Sequence, residues 1–290
     1  DMSIVNGIGR IGYMKGGGKA LWKDENIADS ILSHAMKFID KHKKEPFFMY
    51  FATNDVHVPR FPHERFRGKN PMGVRGDAIV QFDWTVGQLL KKLHELKIDD
   101  NTLVILTSDN GPVVDDGYQD GAEELLNGHS PAGPFRGNKY SAFEGGTAVP
   151  LVISWPRKIK GGVVSKALVS QIDLLSSLGS LVHARLPKGS APDSRNYLPT
   201  ILGSDQKGRD YVIGQSNTHV LSVLTPQYRY IEPSNGPKMI QWGPKIETGN
   251  LPVPQLYDMT VSPYETNNVA AEHQDEVSRM QDILKNERSK

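Results

Sequence analysis

The sequence predicts an α/β fold: a mostly parallel sheet flanked by helices, followed by a small C-terminal antiparallel sheet with a helix. Three observations predict it. Two short apolar runs, Phe47-Phe-Met-Tyr-Phe-Ala-Thr53 and Leu103-Val-Ile-Leu-Thr107, read as strands buried on both faces, each closed by turn-forming residues. Between them Ile79, Phe82, Val86, Leu89, Leu90, Leu93 and Leu96 form one stripe at helical spacing, a core-packing face over residues 77–96. Strand, helix, strand is by default a right-handed parallel crossover. Beyond residue 210 the texture changes to short β-rich pieces separated by turns. The expected division is an α/β domain over 1–185, a linker over 186–209 and an α+β subdomain over 210–290.

Composition narrows the function classes. The 290 residues are 38% hydrophobic and 23% charged, an ordinary globular balance. A net charge of +1 gives no bulk attraction to nucleic acid or to an anionic membrane. No apolar run reaches the ~18 residues of a membrane span. No secretory signal opens the chain, which starts at Asp1, so its natural start is expected upstream. The absence of cysteine excludes thiolate metal sites, disulfides and a cysteine nucleophile within these residues.

In chain order, residues 1–19 are glycine-rich. Gly7-Ile-Gly-Arg-Ile-Gly12 matches G-x-G-x-x-G, but the glycine-rich residues after it cannot open the helix that a dinucleotide site needs, so a surface loop is expected. Residues 24–43 read as an amphipathic helix through Ile27, Ile31, Ala35, Phe38 and Ile39, with lysines at its C-terminal end where the helix dipole favours them. Asp77 is placed to cap the second helix. A long polar loop spans 113–140, and a loop of that length inside a compact domain is usually functional. Val149-Pro-Leu-Val-Ile-Ser-Trp155 predicts a third strand and 173–181 a further helix. Residues 211–214, 219–224 and 228–231 read as short strands, Pro226-Gln227 as a hairpin turn, and 271–287 as a terminal helix.

Candidate chemistry gathers at strand ends, where α/β sheets bind ligands. The 103–107 strand runs into Asp109-Asn110-Gly-Pro112: a carboxylate beside an amide oxygen suits a hard cation such as calcium or magnesium, although all four residues are also turn formers. The 47–53 strand runs into Asn54-Asp-Val-His57-Val-Pro59, which offers an imidazole as ligand or acid/base. Lys139 lies on a loop returning to the same edge. Together these groups would hold a tetrahedral oxyanion and protonate its leaving oxygen.

Three motifs occur in order: Asn54-x-x-His57-x-Pro59, Ser108-Asp-Asn-Gly-Pro112, and Arg136-Gly-Asn-Lys-Tyr-Ser-Ala-Phe-Glu-Gly-Gly146. With them the chain resembles the type I, formylglycine-dependent arylsulfatase-like sulfatases of the alkaline phosphatase superfamily, and most nearly bacterial enzymes acting on sulfated glycans. The likeness extends to Ser170-Gln-Ile-Asp-Leu-Leu175 and Leu256-Tyr-Asp-Met259. It implies an alkaline phosphatase-like fold, calcium at Asp109 and Asn110, His57 as acid for the departing alcohol, and Lys139 on the sulfate and bridging oxygens. Arg136 and Glu144 look like scaffold. Arg136, His129, Asp115 and Asp116 are carried as candidate substrate contacts, with a solvated loop as the plain alternative for the last three. The substrate implied is a sulfated carbohydrate and the location periplasmic or secreted. The oligomeric state stays open.

The departure from the family pattern is the nucleophile, a Cys or Ser converted to formylglycine within Cys/Ser-x-Pro-x-Arg. Ser190-Ala-Pro-Asp-Ser194-Arg195 has the wrong spacing and follows the metal motif. The first-strand Asp pair, a further Lys and a further His also have no counterpart. The expectation is therefore a C-terminal portion of a sulfatase, inactive by itself. Two alternatives remain: a phosphate or phosphonate monoester hydrolase of the same superfamily, against which Asn110 argues by offering only oxygen, and a non-catalytic glycan-binding remnant.

Overall fold

The computed structural model describes residues 2–5, 8–13, 23–118, 120–242 and 245–289, with side chains from residue 23 onward. The chain divides into two compact units, Asp1–Thr102 with Val114–His129, and Leu103–Val113 with Ser130–Lys290.

In the first unit, β1 (Met2–Val5) and β2 (Ile8–Tyr13) pair antiparallel where a surface loop was expected. Gly7 and residues 14–22 lie outside the described residues. Helix α1 (Ile27–His42) forms as its periodicity requires, but Ala28, Leu32, Ala35 and Ile39 make the buried seam. Phe38 instead meets the Phe47 ring edge-on at 5.8 Å. The run 47–53 is a correction: among the described residues it joins no strand. Its side chains do alternate, but Phe48 and Tyr50 are 76% and 85% exposed. Apolar content had suggested burial on both faces, and the sheet neighbours that would supply it are not among the described strands.

Helix α2 (Gly73–Glu95) begins one turn earlier than its stripe suggested. Asp77 is not its cap. The carboxylate is buried inside the helix and accepts the Gly68, Lys69 and Asn70 backbone N–H groups at 2.7, 3.0 and 2.9 Å. With Gln81 and Thr85, one and two turns on, it forms a buried polar seam, while most of the predicted apolar stripe is only half-buried.

In the second unit, β3 (Val104–Thr107) pairs antiparallel with β4 (Leu151–Ser154), with Val104 opposite Ser154 and Thr107 opposite Leu151. Between them lies a one-turn helix α3 (Glu144–Thr147). All described strand pairs are antiparallel, so the mostly parallel sheet is not seen among the described residues.

Helix α4 (Asp173–Leu181) falls where its leucines predicted. The stretch expected as a linker is tied down. It holds a short helix α5 (Leu198–Ile201), and Arg209 grips the fully buried Asp173 with two bonds of 2.6 Å.

Within the second unit the C-terminal residues form a four-stranded antiparallel sheet in the order β5 (Val212–Gln215), β6 (Leu221–Leu224), β7 (Tyr228–Ile231), β8 (Gln255–Asp258). Helix α6 (Gln274–Arg288) completes it, as the texture change predicted, although β8 had not been foreseen. Strand alternation gives the sheet two different faces. Val223, Tyr230 and Leu256 pack with Val277, Met280 and Leu284 of α6. The intervening Ile231 and Tyr257 pack with Ala142 and Phe143 of the lysine-bearing loop.

Candidate active site

In the second unit the end of β3 and the loop 136–146 are laid directly together. The Lys139 N–H donates to the Pro112 carbonyl at 2.8 Å, and the Gly111 N–H to the Gly146 carbonyl at 3.1 Å. Glycine is required for this approach: a Cβ on Gly111 would stand 1.9 Å from the Gly145 carbonyl oxygen. The loop doubles back on itself, since the Gly145 N–H reaches the Arg136 carbonyl at 2.8 Å. Tyr140, beside the lysine, has φ +81°, a left-handed backbone that costs a non-glycine residue about 1 kcal/mol or more. Its ring meets Trp242 edge-on at 5.3 Å, and the Lys139 Nζ lies 5.2 Å from its centroid.

Asp109 is exposed and Asn110 half-buried. The Asp109 Oδ1 accepts the Asn110 N–H at 3.1 Å, and the Asn110 Nδ2 donates to the Gly111 carbonyl at 2.9 Å. Committing the amide nitrogen to that bond leaves the amide oxygen as the free donor of its group, so the pair offers the hard oxygens that calcium takes. Two residues do not complete a six- to eight-oxygen shell, and no group of three His, Cys, Asp or Glu side chains able to hold a metal occurs among the described residues. Gln171, which lies in the Ser170–Leu175 stretch but was given no role there, donates from Nε2 to the Ser108 carbonyl and so fixes the residue before Asp109.

Arg136 has every guanidinium nitrogen engaged. Nε and Nη2 meet Glu247 at 2.7 and 2.9 Å, Nη1 donates to the Glu265 carbonyl at 2.8 Å, and the group lies 4.0 Å over the Phe143 ring. A substrate contact from Arg136 would have to compete with Glu247, whose carboxyl the Arg136 hydrogen bond holds below its usual range. Glu144 pairs with Arg229 of β7, which is 1% exposed.

The first unit carries His57, Asp115, Asp116 and His129. His57 is exposed, and its Nδ1 lies 2.6 Å from the Val58 carbonyl. A carbonyl only accepts, so Nδ1 carries the hydrogen and Nε2 is left to take or give a proton. The Asp55–Val56 and Val58–Pro59 peptides flanking it are cis.

The histidine loop is tied to the polar seam of α2, which sequence reading had passed over as an apolar helix. Gln81 donates to the Asp55 Oδ2 at 2.9 Å and accepts the His63 N–H at 2.8 Å. Burial raises the Asp55 pKa, and the Gln81 bond opposes that shift. The four-residue spacing of Asp77, Gln81 and Thr85 was the available signal. Arg60, also missed, donates to Val56, Asp120 and Val114 and fastens the loop from behind. Asp115 caps its own turn through the Gly117 N–H at 2.8 Å, and His129 stands exposed at a turn.

Known proteins match this chain in sequence and in fold. The family model described as Sulfatase matches residues 10–184, and the chain belongs to the sulfatase family. It is 51% identical over 282 residues to an N-acetylgalactosamine-6-O-sulfatase of Bacteroides thetaiotaomicron, covering 97% of this chain and 55% of that protein. A solved B. thetaiotaomicron protein, described as a 6S-sulf from a locus for metabolism of multiple glycosaminoglycans, superposes with TM-score 0.94 at 50% identity over 99% of this chain and 59% of its own. The PsFucS1 sulfatase of a Pseudoalteromonas species shares the fold at TM-score 0.78 and 22% identity, over 97% of this chain and 56% of its own. These neighbours define an alkaline phosphatase-like α/β fold. The chain spans about half the length of the relatives it matches.

Proposed function

We propose that these residues are the histidine- and lysine-bearing portion of a sulfuric ester hydrolase acting on sulfated carbohydrate, with 6-O-sulfated N-acetylgalactosamine as the substrate to try first. The observation that carries the reading is the pairing of Lys139 with the Asp109–Asn110 turn through the Lys139–Pro112 and Gly111–Gly146 bonds. The 51% identity to the N-acetylgalactosamine-6-O-sulfatase supports the choice of sugar. The activity belongs to a polypeptide of the relatives' length, in which a mostly parallel sheet is completed.

In this reading the ester S–O bond breaks and the leaving alkoxide takes the proton held at His57 Nε2. The Lys139 ammonium holds a sulfate oxygen and the bridging oxygen while charge builds there. Asp109 and Asn110 would hold calcium, which would polarise the sulfate, and a formylglycine would supply the attacking oxygen. Their donor set fits the ion. The aldehyde precursor has no match in this chain: there is no cysteine, and Ser190, the serine of Ser190-Ala-Pro-Asp-Ser194, meets Ser194 where the motif needs arginine and donates its Oγ–H to the Pro187 carbonyl at 2.8 Å. Among the other candidates, His129, Asp115 and Asp116 would read the sugar, and Arg136 would shape the lysine loop. Location in the periplasm or outside the cell is part of the same proposal. Among the described residues, no helix is long and apolar enough to cross a membrane.

Sulfate release from 6-O-sulfated N-acetylgalactosamine, by a polypeptide of the relatives' length and by the 290-residue chain, tests this reading. Turnover by the longer polypeptide alone, lost in His57→Ala and Lys139→Ala, is expected. Preferential hydrolysis of phosphate or phosphonate esters would replace sulfuryl with phosphoryl transfer. Sugar binding without turnover by either would leave a glycan-binding protein.

A further inference from the structure

Of the C-terminal residues that grip the loop 136–146, one meets both of its ends and enters no catalytic step. Glu265 follows β8, and its carboxyl is completely buried. Its Oε2 accepts the Glu144 N–H at 2.9 Å, its Oε1 lies 3.3 Å from the Arg229 Nε, and its carbonyl accepts the Arg136 Nη1 at 2.8 Å. Glu265 therefore holds both ends of the segment that contains Lys139. Arg229 reinforces the middle, donating to the Ala142 carbonyl from Nε and Nη2 at 3.0 and 2.7 Å.

The backbone argues that this grip is the reason for the residue. Glu265 has φ +49°, a conformation glycine adopts freely and glutamate does not. The strain persists because carbonyl and carboxyl are both fixed by the loop. We propose that Glu265 is a positioning residue for the lysine loop, clamping it from the C-terminal residues so that Lys139 stays beside the end of β3. The bearing on catalysis rests on the sulfatase reading; the clamp does not.

The charge count sets how the clamp responds to pH. Two guanidiniums, Arg136 and Arg229, face three carboxyls, Glu144, Glu247 and Glu265, with the Tyr257 phenol beside them. One proton would relieve the excess negative charge, and Glu265, whose side chain is completely buried, is placed to take it. Burial raises its pKa to about 7, opposed by Arg229, by the Glu144 N–H that its carboxyl accepts and by Arg136, and helped by the Glu144 carboxylate. The closed loop binds that proton more tightly than an opened one, so the clamp is tightest in acid and loosens toward neutrality.

Hydrogen exchange of the 290-residue chain, read by mass spectrometry in peptides covering 104–112 and 136–147 and corrected for intrinsic rate, tests this. In the wild type, protection of both peptides should fall by about tenfold or more between about pH 5 and about pH 7. Glu265→Gln, a neutral side chain of the same shape, should keep the protection and lose its pH dependence. Glu265→Ala should expose these two peptides by about tenfold while α1 and α2 keep their protection. A Gln variant with the wild-type pH slope, or an Ala variant whose two peptides exchange as in the wild type, overturns the proposal. So does an Ala variant that opens every peptide equally. If exchange behaves as stated while no polypeptide of the relatives' length hydrolyses a sulfate ester, the clamp stands and the sulfatase reading falls.

Discussion

The loop that carries His57 and the loop that carries Lys139 each lean on one carboxyl whose pKa burial pushes up, and the two are answered differently. Asp55, half-buried, is met by the neutral amide of Gln81. Glu265, fully buried, is met by a guanidinium and a backbone N–H inside a cluster of five charged side chains. The first solution uses a helix side chain that serves two neighbours at once, Asp55 and the His63 N–H. The second also needs backbones pressed together, which only glycine allows at Gly111. The lesson is one of tolerance: a side-chain tether can relax around a change, and a backbone contact cannot.

The largest effect should therefore fall on the lysine loop. Gly111→Ala places a methyl group 1.9 Å from a backbone carbonyl that the loop's own bonds hold still. A loss of about 3 kcal/mol or more is expected, read as a lower urea midpoint of unfolding. The matched change beside the histidine loop is Gly76→Ala. There the three nearest atoms to the new methyl are Oδ1, Cγ and Cβ of the Asn70 side chain, at 2.3, 2.5 and 2.9 Å, a side chain rather than a backbone that must give way, and helix α2 gains the propensity of alanine over glycine. A net change within about 1 kcal/mol is expected. Equal losses in the two variants would erase the distinction between the loops.

The pH dependence of stability comes next in size. Glu265 titrates near 4.5 when unfolded and at about 7 in the fold, so between those values the native state holds the proton that the unfolded chain releases. Stability thus falls as pH rises through that window and levels off above it, by roughly 3 kcal/mol in all. In Glu265→Gln that part of the slope should vanish. Asp55 acts with the same sign from a lower starting point: its folded pKa is raised above 3.8, so its share of stability is present in acid and lost as pH rises through the raised value.

These particulars show which features were legible in the sequence. Helices α1, α4 and α6 and the C-terminal strands β5, β6 and β7 announced themselves by periodicity, and the Asp109–Asn110 pair and Lys139 by motif. What sequence reading missed depends on which face of an element is buried against what. Arg229 sits inside a strand, where a charge reads as outward-facing, yet it is buried because Glu144 and Glu265 come from residues 85 and 36 positions away. Asp77 and Gln81 look like the wet side of a helix until the 54–70 loop folds over them. Phe48 and Tyr50 gave the opposite error, since apolar character signals an affinity for cover and not its presence.

Gln81→Leu tests the side-chain tether directly. The change keeps the volume but removes the partner of the Asp55 Oδ2 and of the His63 N–H, leaving Asp55 only the longer Asn54 Nδ2 bond to Oδ1 at 3.4 Å. Each orphaned group costs about 1–3 kcal/mol where water is excluded, and the half-exposed loop recovers part of that by hydration. A loss of roughly 2 kcal/mol is expected in thermal unfolding. It should be accompanied by faster hydrogen exchange in 54–63 and a further rise in the Asp55 pKa, because the Gln81 bond is what lowers it. An unchanged exchange rate in 54–63 would mean that Arg60, through Val56, Val114 and Asp120, holds the loop unaided.

The smallest effect belongs to an ion pair of the first unit that looks strong on geometry alone. Arg65 grips Asp29 with bonds of 2.7 and 2.6 Å and stacks 4.3 Å from the Trp84 ring. Both side chains are about one-third exposed, so water and salt screen the attraction. Arg65→Lys keeps the charge but loses the two-pronged bond and the flat stacking surface. A loss of about 0.5–1 kcal/mol is expected at low ionic strength, shrinking toward zero near 1 M salt. The Glu265-dependent pH slope should survive the same salt almost unchanged, because no ion reaches a fully buried carboxyl. If salt instead flattens the Glu265 slope and spares the Arg65 effect, the lysine loop is the wetter of the two, and its tether is a surface cluster like any other.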